Sequence, residues 1–267
     1  MIFRQLFDPE TSTYTYLLAD ESSRQAVLID SVLGQLDRDV TLLRELELVL
    51  CYALETHVHA DHVTASGRLR ELLGCKVGVS DVSGVANSDL RLQDGEIIRF
   101  GEEELEVVST PGHTSGCLTY VCREAGLAFT GDALLVRGCG RTDFQQGDAA
   151  LLFASVRERL FTLPDDTRIY PGHDYHGRMM STVREEKRFN QRIGLDKSVD
   201  EFVSIMNGLN LAYPKQMDVA VPANLESGLG SSVAALDPSP AAASGSVASV
   251  MEESGRQDAE IWMGSGI

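Results

Sequence analysis

One short segment of the chain concentrates side chains that bind metals. Residues 56–62 read Thr-His-Val-His-Ala-Asp-His, which places three imidazoles and one carboxylate within seven positions. The segment follows an apolar run at residues 48–54, a composition typical of a buried strand. The C-terminal ends of strands are where α/β folds keep their binding sites. Because imidazoles and carboxylates are common metal ligands, we interpret the segment as one part of a metal site.

The other histidines of the chain lie in two further motifs. His113 is the fourth residue of Thr-Pro-Gly-His-Thr, and His173 and His176 belong to Tyr-Pro-Gly-His-Asp-Tyr-His. Asp132 ends a fourth motif, Phe-Thr-Gly-Asp, which also follows an apolar run. None of the six histidines lies outside these motifs. We therefore expect the strand ends that carry the motifs to meet at one metal centre.

The elements predicted around these motifs alternate between strands and helices. The apolar pattern predicts strands over residues 2–7, 14–19, 26–29, 48–54, 76–80, 96–100, 105–109, 118–122, 127–130 and 169–170. Helical periodicity is seen over residues 36–46, 63–73, 148–161 and 179–211, the last broken near Gly194. Gly74 is placed to cap the second helix. In this pattern each metal-binding motif follows a strand.

The composition excludes several classes of partner. With 40 acidic and 23 basic residues the net charge is −17, whereas nucleic-acid binding depends on a basic face. No apolar run approaches the roughly 18 to 20 residues of a membrane span. The N-terminus lacks the basic flank and cleavage site of a signal peptide. The five cysteines form no Cys-x-x-Cys pair, which fits reduced thiols. We expect a cytoplasmic protein without a nucleic-acid or membrane partner.

The chain is predicted to contain one catalytic domain followed by a tail. Residues 1–230 carry the apolar pattern, and hydrophobic residues make up 43% of the chain, enough for one sizeable core. Between residues 231 and 267 more than half of the positions are Ala, Ser, Gly or Pro, and no apolar periodicity remains. We interpret residues 231–267 as a disordered tail.

Together, the four motifs resemble the metallo-β-lactamase superfamily, and the resemblance runs over about residues 1–228. It implies an α/β fold, classed as α+β in some schemes, in which two mixed β-sheets flanked by helices form an αβ/βα four-layer sandwich. The superfamily pattern can hold two metals, and seven motif side chains are then ligands: His57, His59, Asp61, His62, His113, Asp132 and His173.

A longer match favours the persulfide dioxygenase family. Residues 131–145, Gly-Asp-Ala-Leu-Leu-Val-Arg-Gly-Cys-Gly-Arg-Thr-Asp-Phe-Gln, are similar to that family almost residue for residue, as are residues 111–121 and 170–177. Residues 221–224, Val-Pro-Ala-Asn, also match, whereas Ser227 stands where relatives commonly carry cysteine. The resemblance implies an enzyme that oxidises glutathione persulfide with dioxygen and water to sulfite and glutathione.

In that family one Fe(II) per chain is held by the residues that match His57, His113 and Asp132. Two imidazoles and one carboxylate leave adjacent coordination positions open for substrate and dioxygen. The remaining motif side chains then orient the ligands or form a second metal site. These are His59, Asp61, His62 and His173.

The main alternative is the glyoxalase II family, which hydrolyses glutathione thioesters and would use zinc here. It shares the Gly-Cys-Gly-basic and Gly-His-x-Tyr motifs, but its large helical glutathione-binding domain has no counterpart in the short stretch after His173. A third interpretation is a metal-binding or persulfide-sensing protein without turnover. Dioxygen uptake with glutathione persulfide, thioesterase activity, or neither distinguishes the three.

The resemblance and the local charge predict the residues that bind the substrate. Arg141 is expected to pair with a glutathione carboxylate, and Tyr175 to supply a hydroxyl. Residues 178–192 carry five basic side chains in an acidic chain, and Lys187 and Arg188 are further candidates for the peptide carboxylates. The sequence leaves open whether the chain forms a homodimer.

Overall fold

The computed structural model describes residues 1–230, and the tail predicted for residues 231–267 lies outside the described residues. Within residues 1–230 there are two six-stranded sheets and six α-helices. No helix of this part of the chain is long and apolar enough to cross a membrane.

The first sheet is built from the N-terminal half of the chain. Its strands lie in chain order and are β1 (Ile2–Asp8), β2 (Thr13–Ala19), β3 (Gln25–Ile29), β4 (Val49–Leu54), β5 (Lys76–Ser80) and β6 (Leu90–Leu92). Strands β1 to β3 pair antiparallel, and β3 to β6 pair parallel. The sheet is therefore mixed, as predicted.

The second sheet is also mixed. Its strands are β7 (Ile97–Phe100), β8 (Glu103–Ser109), β9 (Leu118–Cys122), β10 (Leu127–Gly131), β11 (Arg168–Pro171) and β12 (Ser181–Thr182), in the spatial order β12-β11-β10-β9-β8-β7. Neighbours pair antiparallel except β10 and β11, which are parallel. Strands β8, β10 and β11 therefore run in one direction, and their C-terminal ends lie at the same edge.

Six helices complete the described part of the chain. They are α1 (Leu36–Glu45), α2 (Ser66–Leu73), α3 (Ala149–Ser155), α4 (Val183–Phe189), α5 (Val199–Asn207) and α6 (Met217–Asn224). Gly74 ends α2 with a φ of 73°, a left-handed conformation that glycine adopts without steric cost, as predicted. Asp148 begins α3, because its side chain accepts a hydrogen bond from the amide of Leu151.

Strand alternation divides the buried residues into layers. Leu18 of β2 and Phe129 of β10 belong to one core cluster between the two sheets. Leu17, on the opposite face of β2, belongs to a second cluster with α1 and α2. Ala128, on the other face of β10, packs in a third cluster with α3 and α5. The order helix, sheet, sheet, helix confirms the predicted four-layer sandwich.

Some elements differ from the prediction. The helical stretch predicted over residues 179–211 begins with β12 and then forms α4 and α5. Its predicted break near Gly194 is confirmed, because Gly194 lies between α4 and α5. Helix α2 begins at Ser66 rather than residue 63. Helix α6 was not predicted, because Pro222 lies inside it and proline removes a helical hydrogen bond. The short strand β6 was not predicted either.

Candidate metal centre

The four motifs follow strand ends from both sheets and meet between them. The histidine segment follows β4, and His113, Asp132 and His173 follow β8, β10 and β11. Ligand atoms of His57, His113 and Asp132 lie within 4.8 Å of one another. The amide of Leu118 donates to the carbonyl of Thr56 at 2.7 Å, which joins the two sheets beside the cluster.

Hydrogen bonds behind two of these side chains determine which nitrogen faces a metal. His113 Nδ1 donates to the carbonyl of Arg141 at 2.6 Å. His57 Nδ1 donates to Thr56 Oγ1 at 2.9 Å, because that hydroxyl gives its own proton to Asp30 Oδ2 at 2.8 Å. In both rings Nε2 is therefore the nitrogen with the lone pair, which is the form that binds a metal.

Asp30 is the buried acceptor at the base of this arrangement. Besides the Thr56 hydroxyl, its carboxylate accepts the Thr56 amide at 2.7 Å and His59 Nε2 at 3.2 Å. The residue follows β3 with a φ of 53° and is fully buried. One carboxylate thus fixes the orientation of two adjacent imidazoles. No sequence motif singled it out.

The protonation states suit a metal centre. Burial holds the pKa of His57 well below its usual value, so this imidazole is neutral. Burial also acts on Asp132, but the neighbouring imidazoles, His173 first among them, hold the pKa of its carboxyl well below the ordinary value. A neutral imidazole and an ionised carboxylate are the forms that coordinate cations.

His173 lies between two carboxylates. Its Nδ1 is 2.7 Å from Asp132 Oδ1, and its Nε2 is 2.9 Å from Asp61 Oδ2. Although burial opposes the charge, Asp132 and Asp61 raise the pKa of His173 well above its usual value. Asp61 Oδ2 also lies 3.0 Å from His62 Nδ1 and accepts from Thr13 Oγ1 at 3.2 Å. These side chains therefore bind mainly one another.

The histidine segment is held in place by a residue far away in the chain. Asn224, at the end of α6, donates to the carbonyls of His59 and His62 at 2.9 and 2.8 Å, and accepts from the Thr64 amide. His59 Nδ1 and His62 Nε2 are buried and have no hydrogen-bond partner within residues 1–230. The Val-Pro-Ala-Asn motif thus clamps the loop that carries these two imidazoles.

Two glycines allow the loops to approach the ligands. A Cβ atom on Gly140 would lie 2.8 Å from His113 Nδ1 and 2.7 Å from the carbonyl of Asp132. A Cβ on Gly131 would lie 2.4 Å from Thr56 Oγ1, and Gly131 has a φ of 48°. Close packing around the cluster therefore requires Gly140, the second glycine of Gly-Cys-Gly, and Gly131 of Gly-Asp.

A cavity of about 1140 Å³ opens onto the cluster. His57, Asp61, His113, Asp132 and His173 line it together with residues 135–141, parts of 174–192 and residues 211–216. This volume is above the roughly 300 to 1,000 Å³ that is typical of ligand pockets. Cys139 lies in its wall, but burial raises the pKa of this thiol to about 11, which leaves it unreactive near neutral pH.

Arg141 lines the cavity with its donors already engaged. Its Nε and Nη2 bind the carboxylate of Asp143 at 2.6 and 2.7 Å, and its Nη1 donates to the carbonyl of Ala212 at 2.8 Å. The guanidinium also lies over the ring of Phe144. A direct bond to a substrate would have to replace one of these contacts.

The other predicted substrate residues are placed differently from one another. Tyr175 lines the cavity, is 68% exposed, and stacks on the ring of His173. Lys187 and Arg188 do not line it: Lys187 binds Asp165 at 2.6 Å, and Arg188 lies over Phe189. Their role in substrate binding stays a prediction: Lys187 is held by Asp165, whereas Arg188 contacts Phe189, which lines the cavity.

Comparisons with known proteins agree with this geometry. Residues 8–173 match the model of the metallo-β-lactamase superfamily. The mitochondrial persulfide dioxygenase ETHE1 of Homo sapiens is 56% identical over 230 residues, which cover 86% of this chain and 89% of the human protein. The crystal structure of ETHE1 from Myxococcus xanthus is 53% identical, with a TM-score of 0.83, and the match covers 85% of this chain and all of that one.

A relative of the competing family is less similar. Hydroxyacylglutathione hydrolase GloC of Haemophilus influenzae is 34% identical over 191 residues, which cover 64% of this chain and 88% of that protein. The proteins named persulfide dioxygenase therefore share more sequence with this chain, over more of its length, than this hydrolase does.

Proposed function

The chain belongs to the metallo-β-lactamase superfamily and, within it, to the persulfide dioxygenase family, and we propose that it oxidises glutathione persulfide. One persulfide, one dioxygen and one water yield one glutathione, one sulfite and two protons, so the outer sulfur receives three oxygen atoms. The observation that carries the proposal is the 56% identity to the human persulfide dioxygenase over 86% of this chain.

We propose that His57, His113 and Asp132 hold one Fe(II). Two neutral imidazoles and one carboxylate are the donor set typical of non-haem Fe(II) oxygenases. When bound, Fe(II) supplies the redox chemistry and the open coordination positions that activation of dioxygen requires, whereas zinc has no accessible redox change. The fit is supported by the two Nδ1 hydrogen bonds, which leave each Nε2 available without any rearrangement.

His173 and Asp61 orient Asp132 and hold a proton beside the site. The imidazole of His173 binds Asp132 Oδ1 and thereby leaves Oδ2 for the metal. Its raised pKa, caused by two carboxylates, keeps it protonated at neutral pH. We propose that this protonated group supplies a proton as glutathione forms.

Arg141 contributes to the cavity from its wall. By binding Asp143 and the carbonyl of Ala212 together, its guanidinium holds Ala212 in the cavity wall. We propose that Arg141 shapes the substrate site in this way, and that Tyr175 contacts the tripeptide beside the metal cluster. The ring of Tyr175 stacks on His173 and is exposed to the cavity.

The cytoplasmic location predicted from the sequence is likewise a proposal. It is supported by the free thiols of the five cysteines, which persist in reducing compartments. The human relative is named as mitochondrial.

The function is tested by supplying each family's substrate to the same preparation. We expect dioxygen uptake and sulfite formation with glutathione persulfide, and at least a hundredfold lower rate of thioester hydrolysis with lactoylglutathione. Thioester hydrolysis as the dominant activity would assign the chain to the hydrolase chemistry instead. A protein that binds metal but turns over neither substrate would support the sensing interpretation.

A further inference from the structure

We propose that Glu186 is a positioning residue for His113 and Asp132, and that it acts through residues 135–141, here named the ligand loop. The inference rests on the proposed function in one respect, the assignment of His113 and Asp132 as metal ligands. Glu186 lies on α4, and it reaches these two side chains only through the ligand loop.

The ligand loop carries backbone groups that hold both proposed ligands. The carbonyl of Arg141 accepts a hydrogen bond from His113 Nδ1 at 2.6 Å. The amide of Gly140 donates to the carbonyl of Asp132 at 2.7 Å. A displacement of the loop would therefore change the hydrogen bonds of both ligands at the same time.

Glu186 fixes the other end of this loop. Its Oε2 accepts from the backbone amide of Arg137 at 2.9 Å and from Asn190 Nδ2 at 2.8 Å. The same Asn190 amide group donates to the carbonyl of Gly138 at 3.0 Å. Glu186 Oε1 accepts from Arg137 Nη1 and from Ser181 Oγ. One carboxylate thus joins α4 to two consecutive residues of the ligand loop.

The turn that Glu186 holds is not favoured by its own residues. Leu135 and Gly138 exchange two backbone hydrogen bonds, at 2.9 and 3.3 Å, so Val136 and Arg137 form the tip of a tight turn. Arg137 has a φ of 65°, in the left-handed region where a residue with a Cβ is strained. Such a conformation persists only where the surrounding contacts determine it. The bond from the Arg137 amide to the buried carboxylate is one of these contacts.

The burial of Glu186 indicates what this network provides. The carboxylate is completely buried, and removing a charge from water costs much of what its ion pair contributes to stability. A buried polar network whose members all have partners instead rigidifies the segments that it joins. Rigidity of the ligand loop matters most at its far end, because the hydrogen bonds to His113 and Asp132 are there.

The neighbouring residue Glu185 offers a matched comparison. Its carboxylate binds the same guanidinium, that of Arg137, through Nη2. The side chain of Glu185 is 45% exposed, however, and within residues 1–230 it accepts no hydrogen bond from the backbone of the ligand loop. An exposed ion pair of this kind contributes little. Glu185→Gln therefore makes the same chemical change beside the same arginine without releasing the loop.

The test uses the full-length protein loaded with cobalt(II), because its visible absorption spectrum reports the geometry of the bound metal. In Glu186→Gln a single amide oxygen replaces the two oxygens that accept from four donors, so the loop loses part of its anchor. We expect an altered spectrum and a Kd for cobalt, measured by competition with a chelator, that rises at least about tenfold. Glu185→Gln should keep the wild-type spectrum and Kd.

Activity of the iron-loaded enzyme adds a second measurement. In Glu186→Gln we expect kcat to fall at least about tenfold while the KM for glutathione persulfide stays near wild type, because the ligands are displaced and the substrate contacts are kept. If wild type turned over no persulfide but the cobalt results were as expected, the proposed function would fail and the positioning role would stand.

A purely structural role predicts a different result. A lower melting temperature of Glu186→Gln, with the cobalt spectrum, Kd and kcat of wild type, would overturn the inference. If this variant did not fold, Asn190→Ala would decide the question, since it keeps Glu186 and removes the group that links it to the carbonyl of Gly138. An altered cobalt spectrum in folded Asn190→Ala is then expected, and a wild-type spectrum would overturn the inference.

Discussion

The histidine and aspartate cluster has two halves that satisfy their hydrogen bonds in different ways. The first half is His57, His113 and Asp132, and the second half is His59, Asp61, His62 and His173. His57 and His113 are tied from behind, by Thr56 and by the carbonyl of Arg141, and keep Nε2 available. In the other half, Asp61 and His173 bind each other directly. The first half can accept a cation without losing a contact. In the second half, ligand atoms of His59, Asp61 and His62 also lie within 4.8 Å of one another, but Asp61 Oδ2 is already bound to His173.

This difference shows why the same residue types need not hold two metals. Coordinating ability depends on which atom is left free, and that is decided by partners such as Asp30 and Thr13 rather than by the motif. His59 Nδ1 and His62 Nε2 are unpartnered, so the second half still offers nitrogens. Only one oxygen of its carboxylate, Asp61 Oδ2, is already shared among three partners.

The largest effect is expected from removing a side chain of the first half. His57→Ala or Asp132→Ala deletes one of three protein ligands, so iron content should fall below about a tenth of wild type, with turnover lost in parallel. Metal analysis and dioxygen uptake on one preparation measure both. His176→Ala, which removes a histidine outside the two halves, should retain its iron. Full iron content in His57→Ala would show that the first half does not hold the iron.

A smaller effect is expected in the second half. His173→Gln removes the proton shared with Asp132 and Asp61 but no proposed iron ligand. Iron stoichiometry should stay near wild type while kcat falls about 10- to 100-fold, the usual cost of losing a group that orients a ligand. Loss of one of two bound metals in this variant would show that the second half is itself a metal site.

The smallest effect is expected from removing the Thr56 hydroxyl, which lies behind His57. Thr56→Val deletes the hydroxyl that links His57 Nδ1 to Asp30, so the imidazole loses its fixed orientation. Iron affinity should fall about tenfold, measured by competition with a chelator. Thr56→Ser keeps the hydroxyl and should restore most of the affinity. Equal iron affinities for the valine and serine variants would show that the Thr56 hydroxyl does not orient His57 for metal binding.

The clustering of His57, His113 and Asp132 was predictable because each of them stands in a motif directly after an apolar strand. The groups that orient the ligands were not, since Asp30 and Thr13 approach from other strands without a local signal. The contact made by Lys187 was not predictable for a related reason. Local charge identified a basic segment, but its partner Asp165 lies 22 residues away, and only the fold shows that this lysine turns from the cavity.

The central claim is that one half of the cluster holds a single redox-active iron and the other half positions it. Metal analysis of protein purified without oxygen, combined with dioxygen uptake on glutathione persulfide, tests this claim most directly. The account predicts close to one iron per chain, with activity proportional to iron content. Two zinc ions per chain in fully active protein would contradict it.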